Sequence, residues 1–313
     1  MENNKFIIGG GPAGLVAAFY LKDFKVIDEK PLGQLNTPFI PGPRLLQFTP
    51  NMWSFISEVM AEAGLNPEMV VEKAKIGYEE KNSYSPLPDI NFKNKYTEIT
   101  RGKTESEQSY LSEGKNEIEH IIIPEQGENT YKFVFETLLG IITQRGQLLR
   151  SKVSALDLGG NTIKLDSNES IKYDTIINTI SLKIFQKITG EEIEGLETLP
   201  KSFYQCEYNN LSDKMLKLRY DYVYSVSGEY TRKTYFKDYI VYETVGQISG
   251  ETVNGNKIIR RAENLPIQIK NNKNITHIGD AIMLGRFAEW NHKVKVNEVV
   301  DTVTKITQEI YAE

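Results

Sequence analysis

One cysteine, three histidines and two tryptophans are spread over 313 residues, and each scarcity excludes something. A lone cysteine, Cys206, forms no intramolecular disulfide, which fits a reducing compartment and a small buried side chain better than a nucleophile. His120, His277 and His292 lie far apart and make no spaced ligand set with that cysteine, so no metal site is expected. Positive charge is not in excess: the formal charge is −5 and no basic stripe stands out, so no nucleic-acid partner is expected. No apolar run approaches the roughly 20 residues of a membrane span, and no membrane partner is expected. The chain reaches a glycine cluster within eight residues, leaving no room for the basic and apolar regions of a signal peptide. A cytoplasmic location is the expectation. Internal repeats and low-complexity tracts are also lacking. The composition, 40% hydrophobic and 25% charged, is that of an ordinary globular chain, and its length calls for a two-lobed enzyme or two domains.

What is present is concentrated near the start. Residues 5–29 read KFIIGGGPAGLVAAFYLKDFKVIDE. A β-rich run enters a glycine cluster, an amphipathic helical stretch follows, and a second apolar run ends on acids. The spacing Gly9-x-Gly11-x-x-Gly14 predicts a strand-to-helix turn where a pyrophosphate lies against bare backbone and a helix N-terminus points its amides at it. Asp28 and Glu29 follow Gly9 by 19 and 20 residues, where a carboxylate accepts bonds from adenosine ribose hydroxyls.

Beyond this unit, residues 31–50 are rich in proline and glycine and predict an extended, turn-punctuated segment. Asn51–Leu65 reads as a helix with Phe55, Val59 and Met60 on one side and Gly64 as its stop. The stretch 75–116 is polar and turn-rich, and 100–117 reads as an exposed loop or mobile excursion. Residues 118–124 predict a strand, and Tyr131–Gln144 a helix burying Phe133, Leu138, Ile141 and Ile142 before Gly146. Residues 147–180 read as strands separated by turns at Gly159-Gly160-Asn161 and Ser167-Asn168. Period-two alternation over 202–250, rich in tyrosine and valine, predicts antiparallel sheet with one wet face. Residues 274–284 read as a strand entering a turn, and 296–312 as a closing helix.

Several islands now fall into one order: the glycine turn with its acid, EKPLGQ, PGPRLLQ, VSALDL (153–158), YDTIINTI (173–180), YTR (230–232), and a final GD…GR…W segment. Together they resemble the FAD-binding flavoprotein family that contains UDP-galactopyranose mutases and amine-oxidase-like oxidoreductases. The resemblance implies a Rossmann-like α/β FAD-binding domain with an inserted antiparallel-sheet substrate domain (α+β). The FAD-binding parts are expected at 1–75, 118–185 and 256–313, and the substrate-binding cap at 76–117 and 186–255.

The same resemblance assigns residues. Gly9, Gly11 and Gly14 would hold the FAD pyrophosphate, with Pro12 and Ala13 starting the helix. Asp28 is the preferred ribose ligand, because it continues the strand face of Phe24 and Val26; Glu29 is the alternate. Arg44 and Leu45 match the point where such chains run past the flavin, although an arginine there also suits a solvated loop. Val153 matches a residue whose backbone meets the adenine, and Thr179 a strand end close to the dinucleotide. Gly279-Asp280 and Gly285-Arg286 both resemble turns that bring amides to the flavin, and only one pair need do so. The closing helix would direct its N-terminal dipole at the flavin. Two departures stand out: Gly33-Gln34 replaces the family's Gly-Gly pair, and residues 39–50 lack the histidines of the mutases.

A substrate would lie between flavin and tyrosine-rich sheet. There Tyr230-Thr231-Arg232 resembles the mutase segment whose arginine meets the anionic part of the substrate; an exposed strand charge is the plain alternative. Tyr235, like Tyr222, Tyr224, Tyr239 and Tyr242, is either pocket lining or ordinary sheet. Trp290 is a candidate substrate contact, and His292 a proton carrier or a structural donor. The expected function is an FAD-dependent oxidoreductase on a small polar substrate, with amine oxidation as one form. A mutase-like non-redox flavoenzyme on a nucleotide sugar, or a flavin-binding protein with little activity, are the alternatives. The oligomeric state is left open.

Overall fold

The computed structural model describes residues 4–36, 39, 45–81, 83–100, 115–226, 228–269 and 272–311, with backbone alone at 34 and 266–268. It is a mixed α/β protein whose described residues form three sheets. The first strand, Lys5–Ile8 (β1), runs parallel to Lys25–Ile27 (β2) on one side and to Thr175–Asn178 on the other. Leu148–Leu149 and Ala281–Met283 extend the parallel array, and His277–Ile278 caps it as an antiparallel edge.

Central parallel strands are buried on both faces, and the alternation along β1 sorts them. Ile7 joins one core cluster, formed with the helices Pro12–Tyr20 (α1), Pro50–Glu62 (α2), Thr130–Gln144 and Val296–Tyr311. Phe6 and Ile8 join a second cluster, under the antiparallel meander Val153–Asp157, Thr162–Leu165, Ser170–Lys172 and the helix Leu182–Thr189. The meander turns at Asn161 and Asn168, both at positive φ, as their sequence demands. Helix α2 starts one residue before its expected position, with Thr49 accepting from the Met52 amide at 3.1 Å and Pro50 in the first turn.

The remaining strands form a sheet of ten, in which Asn256–Ile269, Thr198–Cys206, Ile240–Val245, Arg232–Tyr235, Tyr222–Ser225, Val70–Glu80 and Glu117–Ile122 lie side by side. Pairing is antiparallel except between Tyr222–Ser225 and Val70–Glu80. Four findings depart from the sequence reading. The polar stretch 75–116 contains half of a long strand and a helix, Ile90–Ile99, capped where Asp89 accepts from the Phe92 amide at 2.7 Å. Most of the expected excursion at 100–117 lies outside the described residues. Strand Val70–Glu80 crosses the expected 75/76 boundary unbroken, pairing with Glu117–Ile122 before it and Tyr222–Ser225 after it. Asn256–Ile269, expected with the dinucleotide domain, pairs with Thr198–Cys206 in the large sheet.

The fourth departure concerns the wet face. Tyr222–Ser225 is buried throughout and Ile240–Val245 nearly so. Alternating polar residues are not at the surface here because they bond to one another inside. Behind the sheet, Lys233 Nζ donates to Asp213 at 2.9 Å and to the hydroxyls of Tyr84 and Tyr230 at 3.2 and 3.3 Å. Those two tyrosines donate to opposite oxygens of Glu79, each at 2.6 Å. Tyr242 and Asn256 donate to Asp213 at 2.6 and 2.7 Å, and Tyr235 and Asn254 at 3.3 Å. Three lysine protons thus have three acceptors, and the network is satisfied rather than frustrated.

Candidate functional site

The glycine turn is built by close approach. Gly9 has φ +102°, and a Cβ on it would lie 2.6 Å from Thr179 Oγ1. A Cβ on Gly14 would stand 1.9 Å from the Gly9 carbonyl oxygen. These two glycines let the helix seat against the strand. Gly11 differs: a Cβ there meets nothing within 4 Å, because it faces a cavity. Gly11 caps α1, Pro12 occupies the first turn, and the early amides of a helix lack intrahelical acceptors. The Asp28 carboxylate sits at the end of β2, accepting from the amides of Gly10 at 2.5 Å and Lys30 at 2.7 Å.

The cavity holds about 630 Å³. Gly9, Gly11, Pro12, Ala13, Asp28 and Thr179 line one end. Leu45, Leu46, Met52, Ile118 and Tyr131 form an apolar flank. A third wall comes from the far end of the chain: Gly285, Arg286 and His292, then Lys295, Val296 and Asn297 at the start of the closing helix. Gly285 approaches α1 so closely that a Cβ would lie 2.8 Å from the Ala13 Cβ, and its φ of +94° also favours glycine. Its amide donates to Glu289 Oε1 at 2.8 Å; burial raises the Glu289 carboxyl above its usual range, and that bond offsets part of the rise. Arg286 Nε donates to the Val294 carbonyl at 3.1 Å, folding the segment back towards the helix.

The fourth wall is the large sheet, which contributes Lys201, Phe203, Tyr222, Tyr224, Arg232 and Glu243. Arg232 and Glu243 are directly opposed across antiparallel strands and form an ion pair. Lys201 faces Val245, placing it diagonally to Glu243, and it pairs with the other carboxylate oxygen. Lys201 is 2% exposed and Glu243 4%. One buried carboxylate therefore bonds two of the cations that line this wall. The Arg232 guanidinium lies 5.9 Å from the centre of the Tyr224 ring.

Several sequence candidates fall elsewhere. Glu29 is exposed and does not line the cavity, whereas Asp28 does. Gly33 lines it, and Gln34 follows in the same short turn, Gly33–Asn36, with its side chain outside the described atoms. Arg44 lies outside the described residues. Val153 pairs with Leu165 in the meander and does not line the cavity. Gly279-Asp280 forms the hairpin turn between His277–Ile278 and Ala281–Met283, with Asp280 3.4 Å from the Tyr173 hydroxyl; of the two rival turns, only Gly285-Arg286 reaches the cavity. Tyr230 and Tyr235 belong to the Lys233–Asp213 network behind the sheet, because Tyr235 alternates away from Arg232 and Tyr230 precedes the strand. Burial pushes both hydroxyls far above the usual phenol range. Trp290 is fully buried at positive φ beside Lys183, in the cluster under the meander. Cys206 is fully buried, and burial pushes its thiol up to about 12, which removes it as a nucleophile.

Sequence reasoning missed Lys201, Glu243 and Lys295. A lysine and a glutamate inside the strand runs TLPKSFYQC and IVYETV were the available signal, but sequence does not say which face they share.

No family model matches the chain, and no curated protein does. Solved structures match along its whole length. A CLA-producing fatty acid isomerase from P. acnes superposes with a TM-score of 0.63 at 10% identity, covering 99% of both chains. Wild-type putrescine oxidase bound to putrescine gives 0.59 at 11%, covering 100% of both. Reduced UDP-galactopyranose mutase gives 0.58 at 11%, covering 99% of this chain and 96% of the other. At such identities the likeness carries the fold, and at that level it agrees with the resemblance read from the sequence. Among the described residues no helix is long and apolar enough to cross a membrane, and no cluster of three metal-ligating side chains occurs.

Proposed function

We propose that the chain binds FAD and is an oxidoreductase acting on a small polar substrate that carries an anionic group. One observation supports this most: a single cavity begins at the open Gly11 turn and ends at the Lys201–Glu243–Arg232 cluster. The residues present fit the coenzyme. Gly9, Gly11 and the N-terminus of α1 would hold its diphosphate, Asp28 would accept from its ribose, and Gly285 and the closing helix would flank its ring system. When bound, FAD would supply the electron or hydride chemistry that no side chain here provides.

The chain's own residues would bind and orient the second reactant. Arg232 would offer its planar fork to a carboxylate or phosphate, with Glu243 fixing the guanidinium from behind. Tyr222, Tyr224 and Ile118 would exclude water around the substrate body. In this reading the large sheet acts as an inserted substrate-binding lobe over the dinucleotide lobe. A protonated amine is the less suitable partner, since two of the three charged side chains with which the sheet lines the cavity are cations. A mutase-like reaction on a nucleotide sugar shares the need for an anion site and is the second reading.

The test begins with the purified protein: a flavin spectrum, with FAD identified after denaturation, is the expected result, and a colourless protein that takes up no FAD overturns the proposal. Anaerobic mixing with carboxylates, amines and UDP-hexoses then separates the reactions. Bleaching by carboxylates is expected for the oxidoreductase. Turnover of a UDP-hexose only after chemical reduction would replace it with the second reading.

A further inference from the structure

The helix Leu211–Leu216 has a divided surface. Asp213 and Leu216 point inward, at 0% and 6% exposure, whereas Leu211, Met215 and Leu218 are 72%, 58% and 75% exposed. Bonds from the amides of Lys217, Leu218 and Arg219 to the carbonyls of Asp213, Met215 and Leu216 prolong the turn, so Leu218 stays on the helical path. At about 100° per residue, Leu211, Met215 and Leu218 fall in one narrow stripe. Lys214 flanks it on one side and Arg219 on the other, with Lys217 beyond Lys214 and its ammonium donating to the Lys237 carbonyl. The only acid in 211–219 is Asp213, and it is consumed inside by Lys233, Tyr242 and Asn256. That buried anchor also fixes the stripe in place, on the side of the large sheet turned away from the cavity.

Three large aliphatic side chains, held outward and rimmed by cations on a chain of net charge −5, have the pattern of an interfacial helix. We propose that this stripe docks the protein peripherally on an anionic lipid surface. The charge pattern selects that occupant. A two-fold contact with a second copy would bring Lys214, Lys217 and Arg219 against themselves. The sequence expectation of no membrane partner rested on the lack of a span, a different mode of attachment.

Flotation of the full chain with vesicles tests the proposal. Binding to equal parts phosphatidylcholine and phosphatidylglycerol, weakened by added salt and lacking on phosphatidylcholine alone, is the expected result. The triple variant Leu211→Ser/Met215→Ser/Leu218→Ser, and separately Lys214→Glu/Arg219→Glu, should each lower the bound fraction by about tenfold. Their thermal midpoints should stay unchanged, since all five side chains face solvent. Failure to float with the anionic vesicles overturns the proposal, as does equal flotation of the variants. A concentration-dependent dimer that the triple variant abolishes also overturns it, by assigning the stripe to a second copy. None of these readouts depends on flavin content.

Discussion

Thr179 holds Gly9 from the neighbouring strand: its hydroxyl lies 2.8 Å from the Gly9 carbonyl oxygen and 2.9 Å from that of Ile8. The same carbonyl leaves no room for a side chain at Gly14. Gly9 and Gly14 are therefore needed by the fold, and Gly11 by whatever enters the cavity.

That division predicts two different failures. Gly11→Val should give a folded protein with flavin content near zero, because its side chain projects into open space where the diphosphate would lie. Gly14→Ala should lower the thermal midpoint, because its methyl group meets backbone. Circular dichroism and flavin absorbance on both variants check this. Normal flavin content in Gly11→Val would remove the diphosphate from the turn.

Arg232→Lys keeps the charge opposite Glu243 and loses the two-pronged donor geometry. Once a substrate is in hand, its KM should rise by about tenfold or more with a smaller change in kcat. Steady-state kinetics on the variant and on Tyr235→Phe make the comparison. Tyr235, behind the sheet, should leave KM unmoved.

Lys233→Met would leave Glu79 and Asp213 buried without their cation. Breaking a buried pair in this way costs about 3–5 kcal/mol. Urea unfolding should show a lower midpoint with little change in slope. Adding Glu79→Gln should recover part of the loss, since it removes one of the stranded charges.

His120 supplies the pH dependence. Burial holds its pKa below the ordinary 6.5, so between that depressed value and 6.5 the unfolded chain binds more protons than the folded one. Its contribution is full above pH 6.5 and falls as the pH drops through that window. Urea midpoints across this range should decline on acidification, and His120→Gln should flatten the decline. An identical slope in the variant would assign the effect to other groups.

The opening unit was legible because its requirements are local. A glycine at a fixed offset, an acid at the end of the second strand and a proline in the first helical turn each act within a few residues. The ion cluster was not legible, since Lys201, Arg232 and Glu243 meet only through cross-strand register. Tyr230 and Tyr235 were misassigned for the related reason that alternation gives a residue's parity but not which face covers the cavity. Choosing between Gly279-Asp280 and Gly285-Arg286 needed the hairpin to be seen, because each offers the same turn chemistry. The wet-face expectation failed where polar side chains found partners inside, a long-range accounting that spacing does not reveal.

The cavity wall joins residues near position 11 to residues near position 296. During synthesis the first wall leaves the ribosome long before its opposite number exists. The complete cavity therefore waits until the closing helix has docked against α1, and a nascent chain stalled before Gly285 would present a half-built cleft with its apolar lining open to chaperones.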